Sequence, residues 1–204
     1  RGSVVGVDLS GRMVELAQRR GDAAQVTHAS FARMDAEQLD LGDANFDVAL
    51  CALGLMYMAE PLLALNELRR VVRAGGRVVV AVWGERARCG WSSLFPLVDA
   101  EVASDVCPRF FRLGRDDALA RLCEAARLAV VDEQRIAMTL DYGDADEACQ
   151  AAFVGGPVAL AWSRFDADAR ARVRAGYVEA ISPWQRGRGY RVPSEFVVVT
   201  ARVP

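Results

Sequence analysis

The sequence predicts an α/β fold, a layered sheet with crossover helices, and three observations predict it. Val48 to Leu50 and Val78 to Val82 are short apolar runs of the kind found in strands covered on both faces. Between them, Pro61 to Val72 carries Leu65, Leu68 and Val72 on one stripe, which Leu62, Leu63 and Val71 widen. A strand, a helix and a strand in that order make one βαβ unit from Phe46 to Trp83.

Each element has a local reason. Val4 to Val7 reads as a strand ending at Asp8, and Ser10 is a fitting N-cap for a helix carrying Met13, Leu16 and Ala17, with Gly21 as its stop. A second strand is expected over residues 28–34, followed by a loop from Asp35 and a polar turn over 40–45. Pro61 suits a first helical turn, where its missing N–H costs nothing. Arg69, Arg70 and Arg73 meet the negative end of the helix dipole, and Gly75 or Gly76 is the expected stop. Beyond Trp83, a loop is expected to Phe95, then helices over Leu94 to Val106 and Asp117 to Ala126. A strand over Leu128 to Leu140, helices over Asp144 to Phe153 and Asp166 to Ile181, and a last strand over Ser194 to Arg202 complete the reading. Residues 1–204 form a single domain: a core over 1–84, a capping region with late strands over 85–190, and a final strand over 191–204.

Composition narrows the function. The chain is 52% hydrophobic and 25% charged with a net charge of −2, which leaves no electrostatic footprint for nucleic acid. There is no lysine, which excludes Schiff-base chemistry, a P-loop and a short-chain-dehydrogenase active site. The five cysteines (51, 89, 107, 123 and 149) lack C-x-x-C spacing, no metal-ligand cluster is present, and no signal-peptide pattern is seen. Those features point to a reducing cytoplasm. The longest apolar stretch, Val48 to Ala59, is too short to span a membrane.

Four ordered stretches carry a family resemblance. Val5-Gly6-Val7-Asp8-Leu9-Ser10 with Met13, Met34-Asp35-Ala36-Glu37-Gln38-Leu39, Phe46 to Cys51, and Leu68 to Arg77 together resemble the class I S-adenosylmethionine-dependent methyltransferases. The likeness is nearest to the ubiquinone/menaquinone-methyltransferase-like subgroup. Met34 stands where that family usually has Gly, and Ala74 where it usually has Pro. The resemblance implies a Rossmann-like sheet, mostly parallel with an antiparallel C-terminal strand and helices on both faces. It also implies that the family's first strand and Gly-rich loop are missing here, as in a fragment of a longer protein.

The same resemblance implies roles. Asp8 would hold the ribose hydroxyls of S-adenosylmethionine, the co-substrate, and Leu9 and Met13 would flank its adenine. Asp35 and the Ala36 backbone would pair with the adenine edge, and Cys51 would stand beside the methionine part. The loop Gly54 to Tyr57 would border both cofactor and a small-molecule methyl acceptor. Asp8 also fits a plain helix cap, Asp35 a turn, Met13 a core position and Cys51 a buried thiol. His28, the only histidine, begins the strand whose far end carries Asp35, about 23 Å away at ~3.3 Å per residue, so it is not expected in the site. Tyr57, Tyr142 and Glu60 are better placed, though no catalytic residue is assigned. Trp91, Trp162 and Trp184 are candidates for an apolar acceptor pocket. A nicotinamide-dependent oxidoreductase and a truncated, non-catalytic fragment are the alternative readings.

Overall fold

The structure is a computed structural model and describes residues 2–102 and 109–204. Strand β1 (Val4–Asp8) leads through helix α1 (Gly11–Ala23) to β2 (Ala29–Arg33). Strand β3 (Phe46–Ala52), α2 (Pro61–Val71) and β4 (Val72–Trp83) form the expected βαβ unit. There follow α3 (Leu94–Asp99), α4 (Ala118–Ala125), β5 (Ala129–Tyr142), α5 (Ala145–Phe153), α6 (Ala159–Arg164), α7 (Ala167–Ile181), β6 (Gln185–Arg186) and β7 (Gly189–Arg202). Of the helix expected over Leu94 to Val106, α3 covers Leu94–Asp99 and residues 100–102 form a turn; residues 103–106 and Cys107 lie outside the described residues.

The fold is a Rossmann-like α/β arrangement in two sheets. β1 and β2 pair in parallel, from Val4 opposite Ala29 to Asp8 opposite Arg33. The larger sheet has the order β3-β4-β7-β5, with β3 parallel to β4, and β7 antiparallel to both β4 and β5. Its core comes from alternation on facing strands. Val78, Val80 and Val82 are buried directly opposite Ala201, Val199 and Val197, so three cross-strand pairs close one face.

Several expectations need correction. Val48 and Leu50 were expected to be covered, but they are 44% and 68% exposed. β3 pairs only with β4, and nothing among the described residues covers that stripe of side chains. Leu63 is also exposed; Leu65, Val71 and Val72 are buried as expected, Leu62 and Leu68 pack partly buried beside them, and Ala64 joins the stripe. Neither Gly75 nor Gly76 stops α2, because Val72 is already extended. Gly75 takes φ +74 in the entry to β4, and a Cβ on Gly76 would meet the Asp47 carbonyl at 2.8 Å. Gly21 lies inside α1 against the Phe31 ring, and the left-handed residue after that helix is Gln25. Ser10 caps α1 as expected, and Asp144 and Asp166 cap their helices in the same way, each accepting a backbone N–H of the first turn. Helix α6 was not anticipated, and β5 and β7 are each longer than their apolar runs.

A buried carboxylate ties the second half of the fold together. Glu195 on β7 is 3% exposed. Its Oε1 accepts from Arg88 Nη1 and its Oε2 from Arg135 Nη1, both at 3.0 Å, and Oε2 also accepts the Glu85 N–H. Arg135 donates further to the Gly114 and Asp116 carbonyls. One side chain thus joins β7, β5 and the loop after β4. We predict that Glu195→Ala lowers the unfolding free energy by about 1–3 kcal/mol in urea titration, because two guanidinium groups and a backbone N–H lose their acceptor. An unchanged midpoint would contradict this.

Cys89 packs beside that cluster, its thiol facing the Glu195 carbonyl at 3.8 Å, and burial pushes it up to about 11. The unfolded thiol ionises near 8.5. Its neutral form therefore contributes stability that is complete below about pH 8.5 and is lost as pH rises toward 11. The wild type should lose stability across that range more steeply than Cys89→Ala, as equilibrium denaturation at a series of pH values will show.

Candidate active site

In a parallel sheet the loops at the carboxyl ends of the strands converge, which is where open α/β folds place ligands. Here they enclose a cavity of about 720 Å³. The end of β1 supplies Val7, Asp8 and Leu9; the loop after β2 supplies Met34 to Glu37; the end of β3 supplies Leu50 to Gly54. Asp8 and Asp35 are its acidic strand-end residues. Each uses one oxygen to brace its own turn: Asp8 Oδ1 accepts the Ser10 N–H at 2.8 Å, and Asp35 Oδ1 the Glu37 N–H at 2.9 Å. A carboxylate has about four lone-pair sites, so each keeps capacity for a ligand.

The loop carrying Asp35 is held in place by charge. Glu67 on α2 accepts the Leu39 N–H at 2.7 Å, and Arg70 donates to the Leu39 and Leu41 carbonyls and to Asp43. The hydrogen bond from Arg70 is the main reason the Glu67 carboxyl is held below its usual range. Arg33 Nε donates to the Leu9 carbonyl at 2.9 Å, and so locks the ends of β1 and β2 together.

On the opposite wall, Cys51 is a half-buried thiol near the Gly54 and Leu55 N–H groups. Burial raises its pKa, and those backbone hydrogen bonds offset part of the rise. The chain then turns sharply. Leu53 adopts φ +58, a left-handed conformation costly for a branched side chain, while its N–H donates to the Ala81 carbonyl at 2.8 Å. Leu55 and Met56 anchor the following short 3-10 turn in the core, and Tyr57 is left 58% exposed with its ring edge-on to Phe110.

Beyond this turn lies a second cavity of about 480 Å³, which is apolar. Trp83, Trp91, Leu94, Leu140, Tyr142, Tyr177 and the segment Gly155-Gly156-Pro157 line it. Leu53 and Tyr57 line both cavities. Trp91 is the hub of its aromatic wall, with ring centroids 4.9 Å from Trp83 and 5.5 Å from Phe111.

The structure brings Asp8, Leu9, Asp35, Ala36 and Cys51 to the first cavity. Met13 lies on α1, 49% exposed, and is not part of that lining. Trp91 and Tyr142 line the second cavity. Trp162 instead stacks on Phe153 at 4.3 Å, and Trp184 packs over Gly90. Glu60 lines neither cavity; its N–H donates to Glu37. His28 is at the opposite end of β2, where its carbonyl accepts the Val4 N–H. Sequence reasoning missed Leu53, Leu140 and Tyr177. Tyr177 is on a helix more than a hundred residues from Leu53, with no local motif to mark it. Gly155-Gly156 was a usable signal, since a Cβ on Gly156 would meet the Ala152 carbonyl at 2.6 Å.

Comparison with known proteins gives likenesses to methyltransferases. Residues 1–80 match a family model described as a methyltransferase domain. The demethylmenaquinone methyltransferase of Deinococcus radiodurans is 32% identical over 139 residues, which cover 67% of this chain and 55% of that protein. The chain thus spans about half the length of this relative. Among solved structures, one from Bacillus halodurans aligns with TM-score 0.66 at 16% identity, covering 99% of this chain and 83% of the other. Geranyl diphosphate methyltransferase in complex with S-adenosylmethionine aligns with TM-score 0.53 at 16% identity, covering 100% and 69%. At such identities the structural likeness shows the fold. The sequence matches show that the chain resembles class I S-adenosylmethionine-dependent methyltransferases of the ubiquinone/menaquinone type.

The raised pKa of Cys51 has a direct chemical readout. At pH 8 iodoacetamide should alkylate Cys51 more slowly than a free cysteine, with the rate climbing only in more alkaline buffer. Mass spectrometry of the labelled peptide checks this, and labelling as fast as free cysteine would contradict it.

Proposed function

We propose that this protein transfers a methyl group from S-adenosylmethionine to a small-molecule acceptor, with the nucleoside in the larger cavity and the acceptor in the apolar one. The observation that carries this reading is the shared wall: Leu53 and Tyr57 border both cavities, so two ligands there would meet at one place. In this reading Asp8 accepts from the ribose hydroxyls, and Asp35 and the Ala36 backbone meet the adenine edge. Leu9 covers the ring, and Cys51 lies toward the sulfonium. Met13, outside the cavity, is given no part.

When bound, the cofactor supplies an already activated methyl group, so the protein's task is alignment and exclusion of water. Leu53 and Tyr57 set the line of approach, and the aromatic wall keeps the acceptor dry. Tyr57 and Tyr142 are the hydroxyls able to serve an acceptor that must lose a proton. The free thiols of Cys51, Cys89, Cys123 and Cys149 support a reducing compartment such as the cytoplasm. Among the described residues β1 pairs only with β2 and β3 only with β4, so each keeps an unpaired edge, and we read those edges as open to one further parallel strand in the whole protein.

Isothermal titration of the whole protein with S-adenosylhomocysteine tests the reading. Saturable binding is expected, and Asp8→Ala should weaken it about tenfold or more by removing charge-assisted hydrogen bonds. No binding, or binding indifferent to Asp8, would overturn it. Tyr57→Phe should leave this affinity within about twofold while lowering the methyl-transfer rate about tenfold or more, if its hydroxyl handles a proton.

A further inference from the structure

Two separate sheets wall the larger cavity. Asp8 and Asp35 come from the ends of the paired strands β1 and β2, and Cys51 to Gly54 from the end of β3 in the larger sheet. Val7, Met34 and Ala36 pack the smaller unit against the core through apolar contact. Among the described residues, one hydrogen bond joins residues 2–38 to residues 39–204: Glu37 Oε1 accepts the Glu60 N–H at 3.0 Å. That bond lies at the cavity, whose lining includes both Glu37 and Ala59.

Both ends of the bond lead into the site. Asp35 Oδ1 accepts the Glu37 N–H at 2.9 Å, so Glu37 is fixed to the acidic residue of its own loop. Glu60 is the N-cap of α2, yet its side chain makes no capping bond, and the first turn of that helix carries no acid. A helix N-terminus presents unpaired N–H groups and partial positive charge. Glu37 brings a carboxylate there from the other wall of the cavity. Leu55, Met56 and Pro61 are buried, while the residues between them, Tyr57 among them, are half-buried or exposed. Glu37 pins the far end of this stretch.

We infer that Glu37 is a positioning residue, whose carboxylate holds the Asp35-Ala36 loop and the Tyr57-bearing turn at the spacing a bound nucleoside needs. The nucleoside in that statement rests on the methyl-transfer reading; the tie between the two walls does not.

Hydrogen–deuterium exchange and isothermal titration with S-adenosylhomocysteine, on the whole protein and its Glu37→Ala and Glu37→Gln variants, test this. A glutamine amide oxygen still accepts an N–H, and alanine offers no acceptor. Without ligand, Glu37→Ala should exchange about tenfold faster over residues 57–60, with β4 and β7 unchanged. Its urea midpoint should match the wild type, because the bond is exposed to solvent. It should bind S-adenosylhomocysteine about fivefold more weakly, and Glu37→Gln should recover both properties to within about twofold. Weaker binding in either variant with wild-type exchange would make Glu37 a direct ligand contact and overturn the inference. Faster exchange throughout the chain with a lowered midpoint would make it a general support of the fold, and would also overturn it. Nucleoside binding by the wild type with neither property changed in Glu37→Ala condemns the positioning role alone. Faster exchange over residues 57–60 in Glu37→Ala, without nucleoside binding by the wild type, supports the tie and condemns the methyl-transfer reading alone.

Discussion

The parallel ladder between β3 and β4 fixes where everything else can be. Parallel neighbours need a crossover, which α2 provides, and so the carboxyl ends of both strands lie at the same edge. The chain leaving β3 makes the strained turn at Leu53, and the chain leaving β4 carries Trp83 and Trp91. Both cavities are consequences of that alignment. The Leu53 N–H bond to the Ala81 carbonyl ties the turn to the neighbouring strand, so the shared wall belongs to the sheet rather than to a free loop.

The two cavities are supported by different physics. Around Asp35 the scaffold is ionic: Glu67 and Arg70 capture the backbone of residues 39–41 and hold the acidic loop over the end of β1. Around Trp91 it is aromatic and aliphatic, with the Glu195 cluster outside that wall, where Arg88 and Arg135 neutralise a carboxylate that could not otherwise be buried. Charge thus positions the first cavity and insulates the second. This division matches a polar nucleoside next to an apolar acceptor.

The sequence made the first cavity legible because its residues are local to strand ends. Asp8 after Val4 to Val7, Asp35 after the 28–34 strand and Cys51 at the end of β3 can all be placed by counting along a strand. The βαβ unit was legible for the same reason. The exposure of Val48 and Leu50 was not, because an apolar run records what a strand can bury and says nothing of whether a neighbour is present. The conformation of Leu53 was hidden too, since it depends on a tertiary partner, Ala81, whereas the left-handed Gly75 was expected as a helix stop and lies in β4 instead, its N–H held by the Val203 carbonyl. The apolar cavity was largely invisible. It gathers residues from β4, α3, β5, α5 and α7, and Tyr177 carries no local mark of its role. Trp162 and Trp184 resembled Trp91 in sequence, but packing assigned them to the aromatic stack on Phe153 and to the cover over Gly90.

The central claim is that a nucleoside at the ends of β1 and β3 meets an acceptor across Leu53 and Tyr57. The most direct measurement is a crystal structure of the whole protein grown with S-adenosylhomocysteine. The account predicts adenosyl density between Asp8 and Asp35, with the sulfur pointing past Cys51 toward Tyr57. Nucleoside density in any other place, with the Asp8 to Asp35 cavity empty, would contradict it.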